Sequence, residues 1–241
     1  MAKKVFLSLI LVLMVALACF SGRETDPVMP LDPTLGQSYF FLVEGKFREY
    51  DVREIRHHGV NISDTFNYQL REEVKEPFIN DRGDTSHIVF RYVRTTATAS
   101  WSLDSTWSAR VNQDYALTVE NNKPFVKMLY PTIKGTTWDG NAFNTSEIDQ
   151  YEIVPFDAFF SIPNSLISFE KAMEIEHNVE DDSVTVRDNR KEVFADSVGL
   201  VYKRYEVYKY CSLPACLGQK IIQSGRFYTE TLTAHGSVGG S

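Results

Sequence analysis

The side chains in this chain that could bind a metal ion are an adjacent histidine pair and an oxygen-rich loop. His57 and His58 are neighbours, so on a strand they point to opposite faces and cannot bind one ion together. The loop 80–86 (NDRGDTS) offers oxygen ligands, but Arg82 disfavours Ca²⁺ and no Glu follows at calcium-loop spacing. We therefore expect a solvated hairpin end at the histidines, a plain turn at 80–86, and no metal site.

Catalytic motifs do not stand out in the sequence. It contains no Gly-x-Ser-x-Gly, no Gly-rich phosphate loop and no dinucleotide fingerprint. With 32 acidic residues, no carboxylate pair is singled out for glycoside hydrolysis. The sequence predicts a protein that is not an enzyme and has no cofactor, with an unrecognised hydrolase as an alternative.

The first 19 residues have the composition of an export signal. Lys3 and Lys4 precede the apolar run 5–18, which is shorter than the ~20 residues of a spanning helix. The run ends in residues 16–19 (ALAC), which resemble the processing site of bacterial lipoproteins, with Ala16 where Leu is usual. This resemblance implies a signal peptide at 1–18 and acylation of Cys19. It also implies anchoring in the outer membrane, facing the periplasm or the surface, and plain secretion is the alternative.

Two cysteines remain once Cys19 is assigned to the anchor. Cys211 and Cys216 enclose a short loop with Pro214, and an even pair in an exported chain favours a disulfide. A zinc site would need more ligands, and a redox dithiol normally has two intervening residues, where this chain has four.

Charge bears on the partners of the chain. Loss of the leader removes two lysines and no acidic residue, so the net charge falls from −7 to −9. An acidic chain of this kind is expected to bind nucleic acid poorly, because phosphate contacts need clustered Lys and Arg. Membrane attachment would rest on acyl chains at Cys19.

Composition divides the chain into four parts. Residues 1–18 form the signal peptide, and 19–37, rich in proline, form a lipidated tether. We expect a β domain over 38–232 and a flexible tail over 233–241.

The β domain is predicted from 12 Tyr, 16 Phe and many β-branched residues, with alternating stretches such as 172–179. We expect about ten antiparallel strands in a strongly curved sheet or partly open barrel, with a two-sheet sandwich as the alternative. Residues 163–176 are the best helix candidate. The predicted strands, some of them doubtful, are 39–56, 65–78, 86–101, 105–111, 114–120, 125–130, 148–154, 169–179, 183–195, 199–210 and 220–232.

Three segments resemble β-rich lipoproteins of Bacteroidota envelopes that have no assigned function. They are 39–52, then Tyr130-Pro131 with Gly135 and Trp138, and then 193–201, where Asp196-Ser197 replaces a common Pro-Gly. The resemblance implies an exported β domain. A more remote analogy, to the open half-barrel of periplasmic lipoprotein carriers, concerns the fold alone.

Three tryptophans are candidate ligand-binding residues. Trp101 and Trp107 flank a predicted turn at 103–105, so we expect a cross-strand aromatic pair. Exposed Trp101, Trp107 or Trp138 would instead suit stacking on sugars. The strand aromatics either fill a core or line an apolar cavity.

The leading hypothesis is therefore a lipid-anchored envelope protein that binds an apolar ligand or a partner protein on its concave sheet face. A glycan-binding module is the second hypothesis, and a hydrolase is the third.

Overall fold

The computed structural model describes residues 32–81 and 83–239. The predicted signal peptide, Cys19 and most of the tether lie outside these residues. Two short 3₁₀ helices, Pro33–Leu35 and Gln37–Phe40, come before the first strand. Among the described residues, no helix has the length and apolar character needed to cross a membrane. The strands are β1 (Lys46–Gly59), β2 (Ile62–Ile79), β3 (Thr85–Arg94), β4 (Ser102–Val111), β5 (Tyr115–Glu120), β6 (Lys123–Leu129), β7 (Thr137–Asp139), β8 (Gln150–Ile153), β9 (Ala158–Ser161), β10 (Ser168–Asp181), β11 (Val186–Ala195), β12 (Gly199–Tyr210) and β13 (Ile222–Ser237).

All thirteen strands belong to one antiparallel sheet. Its order is β6-β5-β4-β3-β2-β1-β13-β12-β11-β10-β8-β7, with β9 paired to β10. The last strand lies between β1 and β12, so it joins the N-terminal and C-terminal halves. This architecture confirms the predicted all-β, antiparallel, strongly curved fold.

The sheet curls until its two outer regions meet. The backbone N–H of Val126 in β6 donates to the carbonyl oxygen of Gly140, just after β7, at 2.9 Å. The indole N–H of Trp138 in β7 donates to the Val126 carbonyl at 2.9 Å. The side-chain amide of Asn144 donates to the Pro124 carbonyl at 2.8 Å. These bonds close one side of an otherwise open barrel.

One end of the barrel is covered by residues 35–42, which we name the plug segment. The backbone N–H groups of Thr132 and Ser197 donate to carbonyls of this segment, each at 3.0 Å. Leu42 packs with Val74 and Val89 of β2 and β3. We name this end of the barrel the plugged end.

The opposite end is the mouth. Its rim consists of the β1–β2, β5–β6 and β10–β11 turns, the connection 95–101 and the loop that follows β12. No described segment crosses the mouth as the plug segment crosses the plugged end. The two ends of one barrel are therefore built differently.

The apolar core lies towards the plugged end. Ala116, Met128, Ile153 and Met173 are completely buried there, and Phe194 packs with them. These side chains come from strands at both ends of the sheet order, so the curl of the sheet creates this core.

Four sequence predictions about elements and their bounds are wrong. The predicted strand 86–101 ends at Arg94 as β3, and β4 begins at Ser102. The first strand begins at Lys46 rather than 39, because residues 37–40 form a 3₁₀ turn that buries Gln37 and Tyr39. The helix candidate 163–176 is a turn followed by β10, whose apolar side chains alternate with period two. The strand β13 continues past Leu232 to Ser237, paired with Lys46, where we expected a flexible tail.

Candidate functional site

A row of charged side chains crosses the inside of the barrel between the apolar core and the mouth. Four of its contacts join residues that are directly opposite on neighbouring strands, so the row follows the sheet register. We name this row the ion chain. Its members are Arg48, Glu72, Arg91, Glu230, Lys203, Glu192 and Lys127.

One half of the ion chain is centred on Glu192, which is 1% exposed. The ammonium groups of Lys127 and Lys203 lie 2.8 and 3.2 Å from its Oε1 atom. The Tyr205 hydroxyl donates to the same oxygen at 2.6 Å. Lys127 belongs to β6 and Glu192 to β11, so this pair spans the interior.

The other half is centred on Arg91, whose guanidinium contacts two carboxylates. It lies 3.1 Å from Oε1 of Glu72 and 3.3 Å from Oε1 of Glu230. Arg48 lies 3.4 Å from the other Glu72 oxygen, and the Tyr228 hydroxyl donates to Glu230. Each carboxylate thus has a cation on at least one side.

Burial and charge act in opposite directions on these groups. Burial by itself would raise the pKa of Glu192, but Lys127 and Lys203 hold that pKa well below its usual value. Burial would likewise raise the pKa of Glu72, which Arg91 and Arg48 lower. Burial would lower the pKa of Lys203, which Glu192 and Glu230 raise well above its usual value. Glu72, Glu192 and Lys203 are therefore charged at neutral pH.

Two hollows lie on the two sides of the ion chain. The inner cavity, of about 70 Å³, faces the plugged end and is lined on that side by Phe40, Leu42, Val89, Phe194 and Leu200. The outer cavity, of about 350 Å³, opens towards the mouth. Trp107, Glu120, Lys127 and Lys203 border both hollows.

The outer cavity combines aromatic and charged walls. Its five aromatic side chains are Trp107, Phe125, Tyr151, Tyr205 and Tyr228. Its charged side chains are Arg91, Glu120, Lys127, Asp149, Arg190, Lys203, Arg226 and Glu230.

A larger hollow, the mouth groove, lies beside the outer cavity and has a volume of about 700 Å³. Arg91 lines both hollows, so they meet at that side chain. Besides Arg91, the side chains lining the groove include Glu54, Arg56, Phe66, Tyr68, Leu70, Arg94, Ser102 and Asp104.

Some buried polar atoms around the outer cavity form no hydrogen bond with any described residue. They include the indole Nε1 of Trp107 and the Oε2 atom of Glu230. The Lys203 ammonium is 3.8 Å from that oxygen, which is within ion-pair range only. A buried polar atom without a hydrogen bond is costly, so each of these atoms needs a partner, such as a water molecule or a polar group of a ligand.

His177 is a second unusual group next to the ion chain. It is completely buried, and its ring stacks on Tyr151 with 3.7 Å between centroids. Its two ring nitrogens form no hydrogen bond with described residues, and its Nε2 atom is 3.8 Å from Oε2 of Glu192. Burial holds the pKa of His177 well below its usual value, so the ring is neutral at pH 7.

The three tryptophans occupy different environments. Trp101 directly precedes β4 and Trp107 lies within it, so the predicted hairpin pair is wrong. The reason is that residues 103–105 continue the strand instead of turning. Guanidinium groups stack on both rings, Arg94 at 4.2 Å from Trp101 and Arg91 at 3.8 Å from Trp107.

Trp138 is 9% exposed, and its N–H donates to the Val126 carbonyl where the two outer regions of the sheet meet. It therefore offers no free face to a sugar. Trp107 is the one predicted ligand-binding tryptophan that borders the outer cavity.

The other predicted site residues lie apart from the cavities. His58 bonds to Asp64 at 2.9 Å beside the β1–β2 turn, as expected for a solvated hairpin end. The segment 80–84 connects β2 and β3. Within residues 32–81 and 83–239, no three His, Cys, Asp or Glu side chains are placed to hold a metal ion. The predicted disulfide between Cys211 and Cys216 is confirmed.

The ion chain was not predicted from the sequence. Its signal was present as charged residues at inward positions of aromatic strands, such as Lys203 between Val201 and Tyr205. Alternation alone could not show which face of a strand is inward, because Tyr202 on the other face of β12 is also buried.

No protein-family model matches this sequence, and no curated protein matches it. Two solved structures resemble the described fold. One is a Bacteroides fragilis protein, predicted to be exported, with a YmcC-like fold; it has 12% identity and a TM-score of 0.43, and the match covers 82% of this chain and 99% of the other. The second is a predicted lipoprotein from Parabacteroides distasonis with 11% identity and a TM-score of 0.33, covering 82% and 98%. At these TM-scores the similarities carry no argument about function.

Proposed function

We propose that this chain is an exported, lipid-anchored binding protein whose ligand enters the mouth of the half-barrel. The observation that carries the proposal is the pair of hollows that meet at Arg91, of about 350 and 700 Å³. Small-molecule sites typically measure about 300–1,000 Å³ and combine apolar walls with a few polar groups.

The ligand is polar rather than an acyl chain. The apolar inner cavity measures only about 70 Å³, so the apolar part of the concave face is largely filled by side chains. The larger hollows are lined by charged groups, which an acyl chain would desolvate without replacing their hydrogen bonds. The chemistry of the mouth therefore favours a hydrogen-bonding ligand over the apolar ligand that the sequence suggested.

Binding without catalysis agrees with the state of the buried carboxyl groups. A glycoside hydrolase needs a proton donor, usually a carboxyl group with a raised pKa. The pKa values of Glu72 and Glu192 are lowered instead. Burial alone would raise them, but the neighbouring arginine and lysine side chains lower them by more.

The site is tested by ligand-induced thermal shifts of the purified full chain. The probes are a library of sugars, short peptides and nucleotides, with dodecanoate as the acyl probe. Ser102→Trp fills the mouth groove, and Thr106→Trp is the matched control, since Thr106 is exposed on the same strand and lines neither hollow.

We expect a polar probe to raise the melting temperature of the wild type and of Thr106→Trp, but not of Ser102→Trp. Binding of dodecanoate alone, or of no probe at all, would contradict the proposal.

The anchor is tested separately by mass spectrometry of the membrane-bound protein. We expect a diacylglyceryl mass on the mature chain and its loss in Cys19→Ser. An unmodified chain released in soluble form would show secretion without an anchor.

A further inference from the structure

We infer that the outer cavity binds a neutral sugar unit, with Trp107 and Glu230 as its hydrogen-bonding partners. This inference rests on the proposed function and specifies the ligand class of the same site. It begins from the polar atoms that the protein leaves without hydrogen bonds.

The cations around the outer cavity already have carboxylate partners. Lys127 and Lys203 contact Glu192, and Arg91 contacts Glu230. The other two cations are also paired. Arg190 contacts Asp149 at 2.8 Å, and Arg226 contacts Glu54 at 2.7 Å.

An anionic ligand would therefore have to displace an internal carboxylate. A cationic ligand would face five cations within one hollow, where Glu120 is the one lining carboxylate that makes no ion pair with a described residue. Charge thus selects a neutral ligand.

Two buried polar atoms of the lining, one donor and one acceptor, form no hydrogen bond with a described residue. The Trp107 indole N–H is buried without a partner, and the Glu230 Oε2 atom forms no hydrogen bond with a described residue. A hydroxyl group can donate to a carboxylate and accept from an indole N–H at the same time. A ligand with several hydroxyl groups satisfies both atoms, whereas a hydrocarbon satisfies neither.

The five aromatic side chains of the outer cavity supply the apolar part of the recognition. A pyranose ring carries hydroxyl groups at its edge and C–H groups on its faces, which pack against aromatic rings. Phe125 and Tyr228 offer such rings in the same hollow as Trp107 and Glu230. A neutral sugar is the ligand class that matches all of these groups together.

The test is binding of the labelled full chain to an array of neutral and acidic glycans, followed by titration of the best neutral oligosaccharide. Trp107→Phe removes the indole N–H and keeps an aromatic ring. Its matched control is Trp101→Phe, because Trp101 also stacks on an arginine but does not line the outer cavity. Phe125→Ala is the second variant, used if Trp107→Phe does not fold.

We expect neutral glycans to bind, with Kd about 10-fold weaker in Trp107→Phe and unchanged in Trp101→Phe. Absence of any neutral glycan hit, or equal affinity in both variants, would overturn the inference.

Failure here is distinguishable from failure of the proposed function. A peptide or nucleotide that binds the wild type and is blocked by Ser102→Trp, with no neutral glycan bound, would overturn the sugar inference and keep the mouth as the binding site. No polar probe bound at all would exclude both.

Discussion

The plugged end and the mouth of this barrel are built from the same strands but have opposite interiors. At the plugged end, strands from both halves of the sheet bring completely buried apolar side chains together, such as Met128 and Met173. Towards the mouth, inward positions on those strands carry the charged ion chain and the partly exposed Phe66. The comparison indicates that apolar packing at the plugged end stabilises the fold, while the mouth is free to bind a ligand.

The largest effect is expected where the two regions meet. Glu192→Ala leaves Lys127 and Lys203 buried next to each other without their shared carboxylate. Loss of one partner from a buried ion pair typically costs about 3–5 kcal/mol. Denaturant unfolding measures this cost.

Asp64→Ala is the control for that experiment. It removes one partner of the exposed pair with His58, for which we expect less than about 0.5 kcal/mol. Equal costs for the two variants would show that the ion chain does not behave as a buried network.

A substitution that creates a cavity at the plugged end should lower the free energy of unfolding almost as much. Met173 is completely buried, so Met173→Ala should lower the free energy of unfolding by about 2–5 kcal/mol. Phe66→Ala, at a ring that is 40% exposed in the mouth groove, should cost less than about 1.5 kcal/mol. If the mouth variant were the more destabilising, the assignment of stability to the plugged end would be wrong.

The disulfide at the rim of the mouth should contribute less to the free energy of unfolding than the apolar core does. Cys211 and Cys216 are five residues apart, and a loop this short stabilises by about 2 kcal/mol when closed. We expect that decrease for the double serine variant in denaturant unfolding. Because neither cysteine lines the outer cavity, ligand affinity should be unchanged. A loss of affinity would place the loop in the binding site.

The smallest effect concerns pH. The pKa of His177 in the folded protein lies below its unfolded value near 6.5, because the ring is buried. As the pH falls through about 6.5, the unfolded chain takes up the proton first, so stability decreases towards acid pH. One such group contributes a slope of at most about 1.4 kcal/mol per pH unit.

His177→Phe keeps the stacking on Tyr151 and removes the titrating group. We expect a flatter dependence of stability on pH between 7.5 and 5.5 than in the wild type. His87 and His235, whose pKa values burial also lowers, leave a residual slope. An unchanged slope would show that His177 does not titrate as its burial implies.

The fold class could be predicted from the sequence, because strands and turns leave patterns within short stretches of residues. The alternation in 172–179 specifies part of β10, and Asn121-Asn122 forms the turn between β5 and β6. Strands β7 and β9 were missed because three or four residues are too few to show an alternating pattern.

The candidate site could not be predicted in the same way, because its residues meet through closure of the sheet. Lys127 and Glu192 are 65 positions apart and on strands that are not neighbours. Nothing local distinguishes Trp107, which borders the outer cavity, from Trp101, which does not. The sequence named both tryptophans as candidates, and only the curvature of the sheet separates them.

The most direct measurement is NMR of the three indole N–H groups during titration with the best ligand from the library. We expect the Trp107 resonance to shift, because the Trp107 side chain lines the outer cavity and its N–H forms no hydrogen bond with a described residue. The Trp138 resonance should stay in place, since its N–H is bonded to Val126. A shift of Trp138 with no change at Trp107 would contradict the assignment of the ligand to the mouth.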